Sequence, residues 1–364
     1  MIAVFAYAFP HRKTSDFLCE LALAGHQDVV VIAAPYKALA NRDQNRYFRS
    51  ATHSTVPHDT AVVCKQLGFR FAAMPHDDAN SIAKLVQQHQ IKLALISGAR
   101  ILKSDVIACF ADGIVNFHPG KLPETSGLDA FFYTLKNGVD AGVTTHFIDA
   151  RVDAGMQIAF DPVLVAADDT PEDILANGYN LQLSALRRFL AMQQEGSLRT
   201  SPVVRASKND PMESAEKWRV LQDFPNWRAA RVIDQAAKRL FELCKVGDDD
   251  AALAVLAQFT SLLEHKTKEG WTPLIVACFN QHAFLAKALL RIGANPNAMG
   301  NKGTNVLMYA KTSLMQDTSP DTYLLDTLIT AGADPAQCDI YGRSIHHYVK
   351  DHPALAAYFA RKDG

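Results

Sequence analysis

Apolar runs alternate with segments of helical periodicity along the first part of the chain. The continuous apolar runs predict strands at residues 2–7, 29–33, 93–97 and 113–117. Apolar positions recur at helical spacing between them, which predicts helices at residues 13–25 and 81–89. Strands that are apolar throughout and alternate with helices are typical of an open parallel sheet covered on both faces. Ligands of such sheets bind at the carboxyl ends of the strands, so we expect the functional site there.

The pattern continues beyond residue 120 and then weakens. It predicts, in order, a helix at residues 128–137, strands at 142–148 and 157–165, and a helix at 171–192. Pro171 follows Asp169 and Thr170, which is a favourable start for the last helix. Between residues 196 and 230, prolines and mixed charge interrupt the periodicity, and we interpret this segment as an arm between two domains.

A repeat dominates the C-terminal part of the chain. Gly270-Trp271-Thr272-Pro273-Leu274 opens a segment that closes with Gly293-Ala294-Asn295-Pro296, and the opening glycine recurs 33 and then a further 39 residues later. These segments resemble ankyrin repeats, in which such helix starts and turns recur at a fixed period. We expect the six extra residues of the second interval in a loop within 313–322. Helices predicted between 233 and 263 would cap the stack.

The change of pattern divides the chain into two domains. At 364 residues the chain also exceeds the usual size of a single hydrophobic core. We predict a Rossmann-like α/β domain at residues 1–195, a linker or dimerisation arm at 196–232 and an all-α ankyrin-repeat domain at 233–364. The arm is expected to form a homodimer.

The composition argues against several classes of function. Lys and Arg number 37 against 38 Asp and Glu, so the chain lacks the broad positive surface that long nucleic acids require. No apolar run approaches the ~20 residues that span a bilayer. The apolar start, residues 1–9, has no basic segment before it, and we interpret it as a strand rather than a secretory segment. We therefore predict a cytoplasmic protein with neither a membrane nor a long nucleic acid as its partner.

The cysteines and histidines show no metal-binding spacing. The 6 cysteines lie 34 or more residues apart among mostly apolar neighbours, which predicts buried, reduced thiols. The 13 histidines form neither an HExxH motif nor a cluster with cysteines, so we predict no metal.

Three short motifs follow one another at the ends of predicted strands. They are Asn116-Phe117-His118-Pro119-Gly120-Lys121-Leu122-Pro123, Gly142-Val143-Thr144 and Val152-Asp153-Ala154-Gly155, and Gly127 and Gly138 lie between the first two. In this order they resemble the folate-dependent formyltransferase core that methionyl-tRNA, glycinamide-ribonucleotide and nucleotide-aminosugar formyltransferases share. The resemblance covers residues 1–195. It implies that Asn116, His118 and Asp153 are catalytic and that N10-formyltetrahydrofolate is the co-substrate.

These residue types suit the transfer of a formyl group to an amine. The carbonyl oxygen becomes negative when the amine attacks, and a fixed N–H of Asn116 can stabilise that charge by ~3 kcal/mol. The amine loses a proton and the leaving nitrogen gains one, which suits the imidazole of His118. The carboxylate of Asp153 can hold the tautomer and the charge of that ring. Taken singly, each residue is equally typical of a turn, a cap or a structural group.

The resemblance also implies where folate binds. The pterin pocket is expected to use the backbone of the loop before Asp153 together with an apolar loop at residues 98–102. The expected residues are Gly98, Arg100, Ile101, Leu102, Phe147, Ile148, Asp149 and Val152.

Basic residues near the strand ends are candidates for contacting substrate. His11, Arg12 and Lys13 follow the first strand and enter a helix, where backbone N–H groups and cations can hold a phosphate or the folate glutamyl tail. A solvated helix start is the alternative. Lys121 lies in a stretch that lines the acceptor side in the family, where tRNA-acting relatives carry Ser-Leu-Leu-Pro. The acceptor therefore cannot be copied from those relatives.

The domain order indicates the acceptor. The tRNA enzymes continue into a basic β-barrel and the purine enzymes end near residue 200, whereas this chain continues into ankyrin repeats. It thus resembles bacterial enzymes that formylate the 3-amino group of dTDP-3-amino-3,6-dideoxyhexoses for surface polysaccharides such as O-antigen. The alternatives are a small-amine or glycinamide-ribonucleotide formyltransferase, and a non-catalytic adaptor whose ankyrin groove binds a protein.

Three aromatic residues of the repeats, Trp271, Tyr309 and Tyr341, have two interpretations. They could stack a base as a second or regulatory ligand site. Alternatively, they pack between repeats, which is what aromatic side chains more often do.

Overall fold

The N-terminal part of the chain contains one eight-stranded sheet. The computed structural model describes residues 1–37, 58–151, 153–204 and 208–362. The strands are β1 (Ile2–Tyr7), β2 (Val29–Ala34), β3 (Arg70–Ala73), β4 (Leu93–Ile96), β5 (Gly113–His118), β6 (Gly142–Phe147), β7 (Met156–Pro162) and β8 (Ser201–Pro202). Their order across the sheet is β3-β2-β1-β4-β5-β6-β7-β8. The order reverses between β1 and β4, which is where such sheets open a crevice for ligands.

The sheet is mixed, and the predicted parallel pairing extends only as far as β5. The first five strands in chain order pair in parallel, whereas β6 is antiparallel to β5, β7 to β6 and β8 to β7. A short loop at residues 148–155 joins β6 to β7, and a hairpin of that length can only return antiparallel.

Helices cover both faces of this sheet. They are α1 (Arg12–Leu23), α2 (Thr60–Leu67), α3 (Ala79–His89), α4 (Ser104–Ile107), α5 (Ala130–Lys136), α6 (Pro171–Glu195) and α7 (Ser214–Gln222). Alternate residues of β1 point to opposite faces, as strand geometry requires. Val4 packs in a cluster with Phe17 of α1, whereas Phe5 packs in a second cluster with Ile82 of α3. The apolar strands are buried from both sides for this reason.

The described residues between 196 and 229, which are 196–204 and 208–229, belong to the N-terminal unit. The chain divides into two compact units, Met1–Ala229 and Ala230–Gly364, and the division falls within α8 (Phe224–Val246). The segment interpreted as an irregular arm contains α7 and the start of α8. Its apolar residues explain this difference, because Met212 and Trp227 are both 5% exposed. Trp227 Nε1 also donates to the carbonyl of Val139 at 3.1 Å.

The C-terminal unit consists of helices around one core. After α8 it contains α9 (Asp249–Gln258), α10 (Pro273–Phe279), α11 (Ala283–Arg291), α12 (Val306–Ala310), α13 (Tyr323–Thr330), α14 (Ile345–Val349), α15 (Pro353–Ala360) and two 3₁₀ helices (Thr260–Glu264 and Ser313–Gln316). Leu274, Leu289 and Leu307 pack in this core with Leu240 of α8 and Leu256 of α9. The second 3₁₀ helix lies within the predicted six-residue insertion, between the two helices of the second repeat.

Two cysteines contradict the expectation of buried thiols. Cys64, Cys244 and Cys278 are buried, but Cys19 and Cys338 are exposed, and all six cysteines are free. In α1 the buried face is formed by neighbouring positions such as Phe17 and Leu18, so Cys19 faces solvent. Within the described ranges, no helix is long and apolar enough to cross a membrane.

Candidate active site

Asn116 and His118 lie at the carboxyl end of β5 and share one face of the sheet. Phe117, between them, points to the other face and packs in the core with Phe17 and Phe189. His118 is only 4% exposed. The strand period of two therefore places an amide and an imidazole side by side.

His146 on β6 holds the amide of Asn116. The antiparallel register places the two residues directly opposite each other, and Asn116 Nδ2 lies 3.3 Å from His146 Nε2. His146 Nδ1 lies 3.1 Å from the carbonyl oxygen of Ala154, which can only accept, so the proton is on Nδ1 and Nε2 accepts from Asn116. Burial, and then the neighbouring His118, lower the pKa of His146 to about 4, so this ring is neutral at neutral pH.

Asp153 approaches His118 from the loop between β6 and β7. Its Oδ1 lies 3.5 Å from His118 Nδ1, and its Oδ2 accepts a hydrogen bond from the N–H of Gly127 at 2.7 Å. Burial alone would raise the pKa of Asp153, but the contacts with His118 and Gly127 outweigh it and hold that pKa below its ordinary value. The carboxylate is therefore ionised at neutral pH.

The loop after β5 holds the other side of His118. His118 Nε2 lies 2.9 Å from the carbonyl oxygen of Thr125. Both ring nitrogens of His118 thus face oxygen atoms, one from Asp153 and one from Thr125. To exchange a proton with a bound amine, the ring must release one of these contacts.

The structure brings together part of the expected folate pocket. Leu102 and Ile148 pack in the same apolar cluster beside Ala99, and Ile101 is 70% exposed next to it. Gly98 lies so close to the rings of Tyr7 and His11 that an added Cβ would stand 2.9 Å from both.

Other expected pocket residues are placed differently. Arg100 donates to the carbonyl of Pro35 at 3.1 Å, and Asp149 binds Arg151 within its own loop. Phe147 packs on the opposite face, against Phe189. Val152 lies outside the described residues.

The candidate substrate-binding residues point in several directions. His11 caps α1 by accepting from the N–H of Thr14, and burial, with a smaller contribution from Lys13, lowers the pKa of His11 to about 4. Lys13 Nζ lies 3.5 Å from the carbonyl oxygen of Phe117, and burial lowers the pKa of Lys13 to about 8. Of the three, Lys13 therefore reaches the strand segment that carries Asn116 and His118.

Arg12 and Lys121 contact other groups. Arg12 lies 3.4 Å from Asp16 and 4.3 Å from the ring centre of Tyr179, on the surface between α1 and α6. Lys121 Nζ lies 5.9 Å from the ring centre of Phe160 on β7.

In the C-terminal unit, the three candidate aromatics do not form one group. The rings of Trp271 and Tyr309 lie 4.9 Å apart and pack against the helical core. Tyr341 is 64% exposed and stands next to Arg343.

Sequence reasoning missed His146, the Thr125 carbonyl and the Gly127 N–H. His146 could have been found from the alternation of side chains along β6, once that strand was paired antiparallel with β5. The carbonyl of Thr125 has no sequence signal, and Gly127 stands out only as a glycine of the motif, with nothing in the sequence to indicate that its N–H binds Asp153. Among the described residues no group of three or more His, Cys, Asp or Glu side chains is arranged to hold a metal ion.

An amide donor, an imidazole and an ionised carboxylate at the strand ends of an α/β sheet define a site for acyl-type group transfer. Residues 10–190 match the family model described as formyl transferase, and residues 269–301 match that of the ankyrin repeat. The chain therefore contains a formyl transferase domain, which an ankyrin repeat follows.

Curated relatives match parts of this domain. The phosphoribosylglycinamide formyltransferase of Bacillus subtilis (strain 168) is 27% identical over 122 residues, which cover 32% of this chain and 63% of the relative. The methionyl-tRNA formyltransferase of Ralstonia pickettii (strain 12J) is 24% identical over 212 residues, covering 55% of this chain and 64% of the relative. The chain thus spans less than two thirds of each of these proteins.

Solved structures with a similar arrangement include two N-formyltransferases. A sugar N-formyltransferase from Shewanella sp FDAARGOS_354 is 14% identical, with a TM-score of 0.41 and coverage of 61% of this chain and 86% of that one. The N-formyltransferase from Helicobacter canadensis, in complex with folinic acid and dTDP-3-aminofucose, is 15% identical, with a TM-score of 0.41 and coverage of 57% and 69%.

Proposed function

We propose that this chain transfers a formyl group from N10-formyltetrahydrofolate to the amino group of a dTDP-linked 3-amino-3,6-dideoxyhexose. The observation that carries the chemistry is the arrangement at the end of β5, where an oriented amide stands beside an imidazole paired with an ionised carboxylate. The formyl transferase domain at residues 10–190 supports the same reaction class.

Three residues of the expected folate pocket, Gly98, Ile101 and Leu102, suit this co-substrate, which would supply the formyl group when bound. The exposed apolar side chain of Ile101 and the cluster around Leu102 suit a flat pterin ring. Gly98 leaves space where any side chain would meet the rings of Tyr7 and His11.

Asn116, His118 and Asp153 would divide the chemistry. His146 takes one N–H of the Asn116 amide, which leaves the second free to meet the charge that develops on the formyl oxygen; such a donor contributes ~3 kcal/mol. His118 would take the proton of the attacking amine and deliver one to the departing nitrogen. Asp153, fixed by the N–H of Gly127, would hold the orientation of that ring and stabilise its charged form.

The choice of acceptor rests on the C-terminal unit. The formyl transferase domain is followed by ankyrin-type helices rather than a basic barrel, and the net charge is −1. This arrangement does not favour a tRNA acceptor. The glycinamide-ribonucleotide alternative has its own support in the relative from Bacillus subtilis.

A panel assay separates these functions. The purified chain would be incubated with N10-formyltetrahydrofolate and, in parallel, dTDP-3-aminosugars, other nucleotide aminosugars and glycinamide ribonucleotide, and formylated products would be detected by mass spectrometry. Turnover of a dTDP-3-aminosugar is expected. Turnover of glycinamide ribonucleotide alone would replace the sugar proposal, and no turnover of any amine would favour the adaptor.

Two variants, His118→Ala and a deletion of the repeats, test the adaptor directly. If His118→Ala leaves the cellular phenotype of the protein unchanged while deletion of the repeats abolishes it, the transferase proposal fails.

Homodimerisation through residues 196–232 also remains a proposal. Sedimentation of the purified chain at several concentrations is expected to give twice the mass of 39.9 kDa, and a single-chain mass would reject it.

A further inference from the structure

One loop holds both members of the His118–Asp153 pair. It connects β5 to α5 and is called here the β5–α5 loop (residues 119–129). The Thr125 carbonyl oxygen lies 2.9 Å from His118 Nε2, and the Gly127 N–H donates to Asp153 Oδ2 at 2.7 Å. The position of this backbone therefore sets the position of both side chains.

The two halves of the β5–α5 loop are anchored by different parts of the chain. The first half is bound to β6, because Thr144 Oγ1 donates to the carbonyl of Gly120 at 2.7 Å and accepts from the N–H of Leu122 at 3.1 Å. The second half contains buried side-chain atoms, Glu124 Oε2 and Ser126 Oγ, that find no hydrogen-bond partner among the described residues. Within it, Thr125 Oγ1 donates to the carbonyl of Lys121 at 2.9 Å, and Asn137 at the end of α5 donates through Nδ2 to the carbonyl of Glu124 at 2.9 Å.

A segment from beyond α6 anchors that second half. Asn209 donates through its backbone N–H to the carbonyl of Ser126 at 3.1 Å and through Nδ2 to the carbonyl of Glu124 at 3.0 Å. It also pairs with Gly127 as an isolated parallel bridge. Gly127 has a φ of 96°, and a Cβ there would stand 2.6 Å from the carbonyl oxygen of Asn209, so the contact requires glycine.

The segment that follows Asn209 is itself fixed by contacts with α5 and α7. Met212 is 5% exposed, and its N–H donates to Asp129 Oδ2 at 3.0 Å. Lys217 binds the other oxygen of Asp129 at 2.9 Å, and Tyr133 donates to the carbonyl of Asp210 at 2.8 Å. Asn209 is thus held in place by α5 and α7 and can act as a fixed support.

We propose that Asn209 is a positioning residue for formyl transfer: its side chain shares with Asn137 the task of fixing the Glu124 carbonyl, its backbone N–H fixes the Ser126 carbonyl, and these contacts align His118 with Asp153. This inference rests on the proposed function. Asn209 need not touch substrate. Asn209 binds the carbonyls of residues 124 and 126. The backbone groups that bind His118 and Asp153 belong to the adjacent residues 125 and 127, so fixing the first pair also fixes the second.

Loss of the Asn209 contact should shift the pH dependence of kcat/KM in one direction. The charged or titratable groups that face Asp153 are His118 on β5 and His146 on β6, and the Gly127 N–H adds a further stabilising contact to the ionised carboxylate. When Gly127 moves away, protonation of Asp153 becomes easier. The acidic limb of the kcat/KM profile then shifts to higher pH, because this limb reports the coupled titration of His118 and Asp153.

The test compares Asn209→Ala and Asn209→Asp with Asn226→Ala, an exposed amide of the same region that binds Asp223. The aspartate keeps the side-chain shape but presents a carboxylate to the Glu124 carbonyl. Both variants keep the backbone N–H that binds the Ser126 carbonyl and lose the Nδ2 contact with the Glu124 carbonyl. The loss of that contact should lower kcat about tenfold, because a small misplacement of reacting groups is costly. Both Asn209 variants should leave KM for both substrates within about twofold and raise the pH of the acidic limb, whereas Asn226→Ala should match the wild type.

Hydrogen exchange supplies a readout that does not depend on turnover. Amides of residues 122–129 should exchange faster in both Asn209 variants at unchanged overall Tm. The inference is overturned if both variants keep wild-type kcat and pH profile, or if kcat falls while the acidic limb and the exchange of residues 122–129 stay unchanged. If the wild type transfers no formyl group but the exchange still responds, the proposed function has failed and the structural role of Asn209 stands.

Discussion

Asn116 and His146 lie directly opposite each other on two antiparallel strands, and the neutral imidazole of His146 accepts a hydrogen bond from the Asn116 amide at 3.3 Å. The amide would have several rotamers on an isolated strand. Among the described residues its partner is His146, whose tautomer is in turn fixed by the carbonyl of Ala154. The pair thus converts a flexible side chain into an oriented donor, which is what stabilisation of a developing negative charge requires.

Replacing the oriented donor should affect catalysis more than binding. Asn116→Ala is expected to lower kcat by about 10²–10³ with little change in KM, because the amide acts mainly on charge that develops during the reaction. Steady-state kinetics with both substrates would measure this. An increase in KM at unchanged kcat would instead assign Asn116 to ground-state binding. Asn226→Ala, which removes an exposed amide side chain, serves as the control and should keep the wild-type kcat and KM.

Removing the partner of Asn116 should affect both stability and rate. His146→Leu leaves the Asn116 amide and the Ala154 carbonyl without their shared partner in a buried position, which is expected to reduce the free energy of unfolding by about 1–3 kcal/mol. Release of the amide should lower kcat by about tenfold. Denaturant unfolding and kinetics would be compared with His58→Leu at an exposed position. An unchanged kcat in a folded His146→Leu protein would show that Asn116 is oriented by another group.

The depressed pKa of His146 predicts acid sensitivity. Its pKa is about 4 in the folded protein and 6.5 as the reference value, so below pH 6.5 the unfolded state binds more protons than the folded state. The free energy of unfolding therefore falls as the pH is lowered from about 6.5 to about 4, by an amount of the order of 3 kcal/mol. The ionised Asp153 acts in the same direction at the acidic end, because its folded pKa is also lowered.

Denaturant unfolding at several pH values between 7.5 and 4.5 checks this dependence. His146→Leu should show a flatter profile than the wild type between pH 6.5 and 4.5, because its group no longer takes up a proton on unfolding. Parallel profiles for the two proteins would contradict the assignment of the acid sensitivity to His146.

The sequence predicted the central strands and the ordered motif, but not the contacts that orient it. The apolar runs of β1, β2 and β4 are buried on both faces, so their periodicity carries a strong signal. The pairing of Asn116 with His146 depends on the direction of β6, which the pattern of that strand does not contain. Thr125 and Gly127 act through backbone atoms, and Asn209 acts from a segment whose prolines obscured its structure. Such contacts arise from tertiary structure and leave no local periodicity.

Lys13 and Arg12 offer a matched pair for testing the proposed anion site at the start of α1. Lys13 reaches the Phe117 carbonyl, whereas Arg12 binds Asp16. If Lys13 meets a substrate phosphate, Lys13→Met should raise KM for the acceptor at unchanged kcat, and Arg12→Met should have little effect. Burial lowers the pKa of Lys13 to about 8, so acceptor KM in the wild type should rise between pH 7 and 9 as this charge is lost. Equal effects of the two variants, or a flat KM in this pH range, would argue for a solvated helix start.

The repeat aromatics can be assigned by comparing Trp271 with Tyr341. Trp271 packs 4.9 Å from Tyr309 and 5.1 Å from Phe279, whereas Tyr341 is 64% exposed. We expect Trp271→Ala to reduce the free energy of unfolding by about 2–4 kcal/mol, since it removes a large side chain that packs on the core. Tyr341→Ala should change it by less than about 0.5 kcal/mol.

Calorimetric titration of the wild type and Tyr341→Ala with dTDP would then test for ligand stacking. If the aromatic residues only pack between repeats, the wild type and Tyr341→Ala should bind dTDP with the same stoichiometry and affinity. Loss of one equivalent of bound dTDP in Tyr341→Ala, at unchanged stability, would contradict the packing interpretation, because an exposed ring that contributes nothing to folding would then be contributing to a second site.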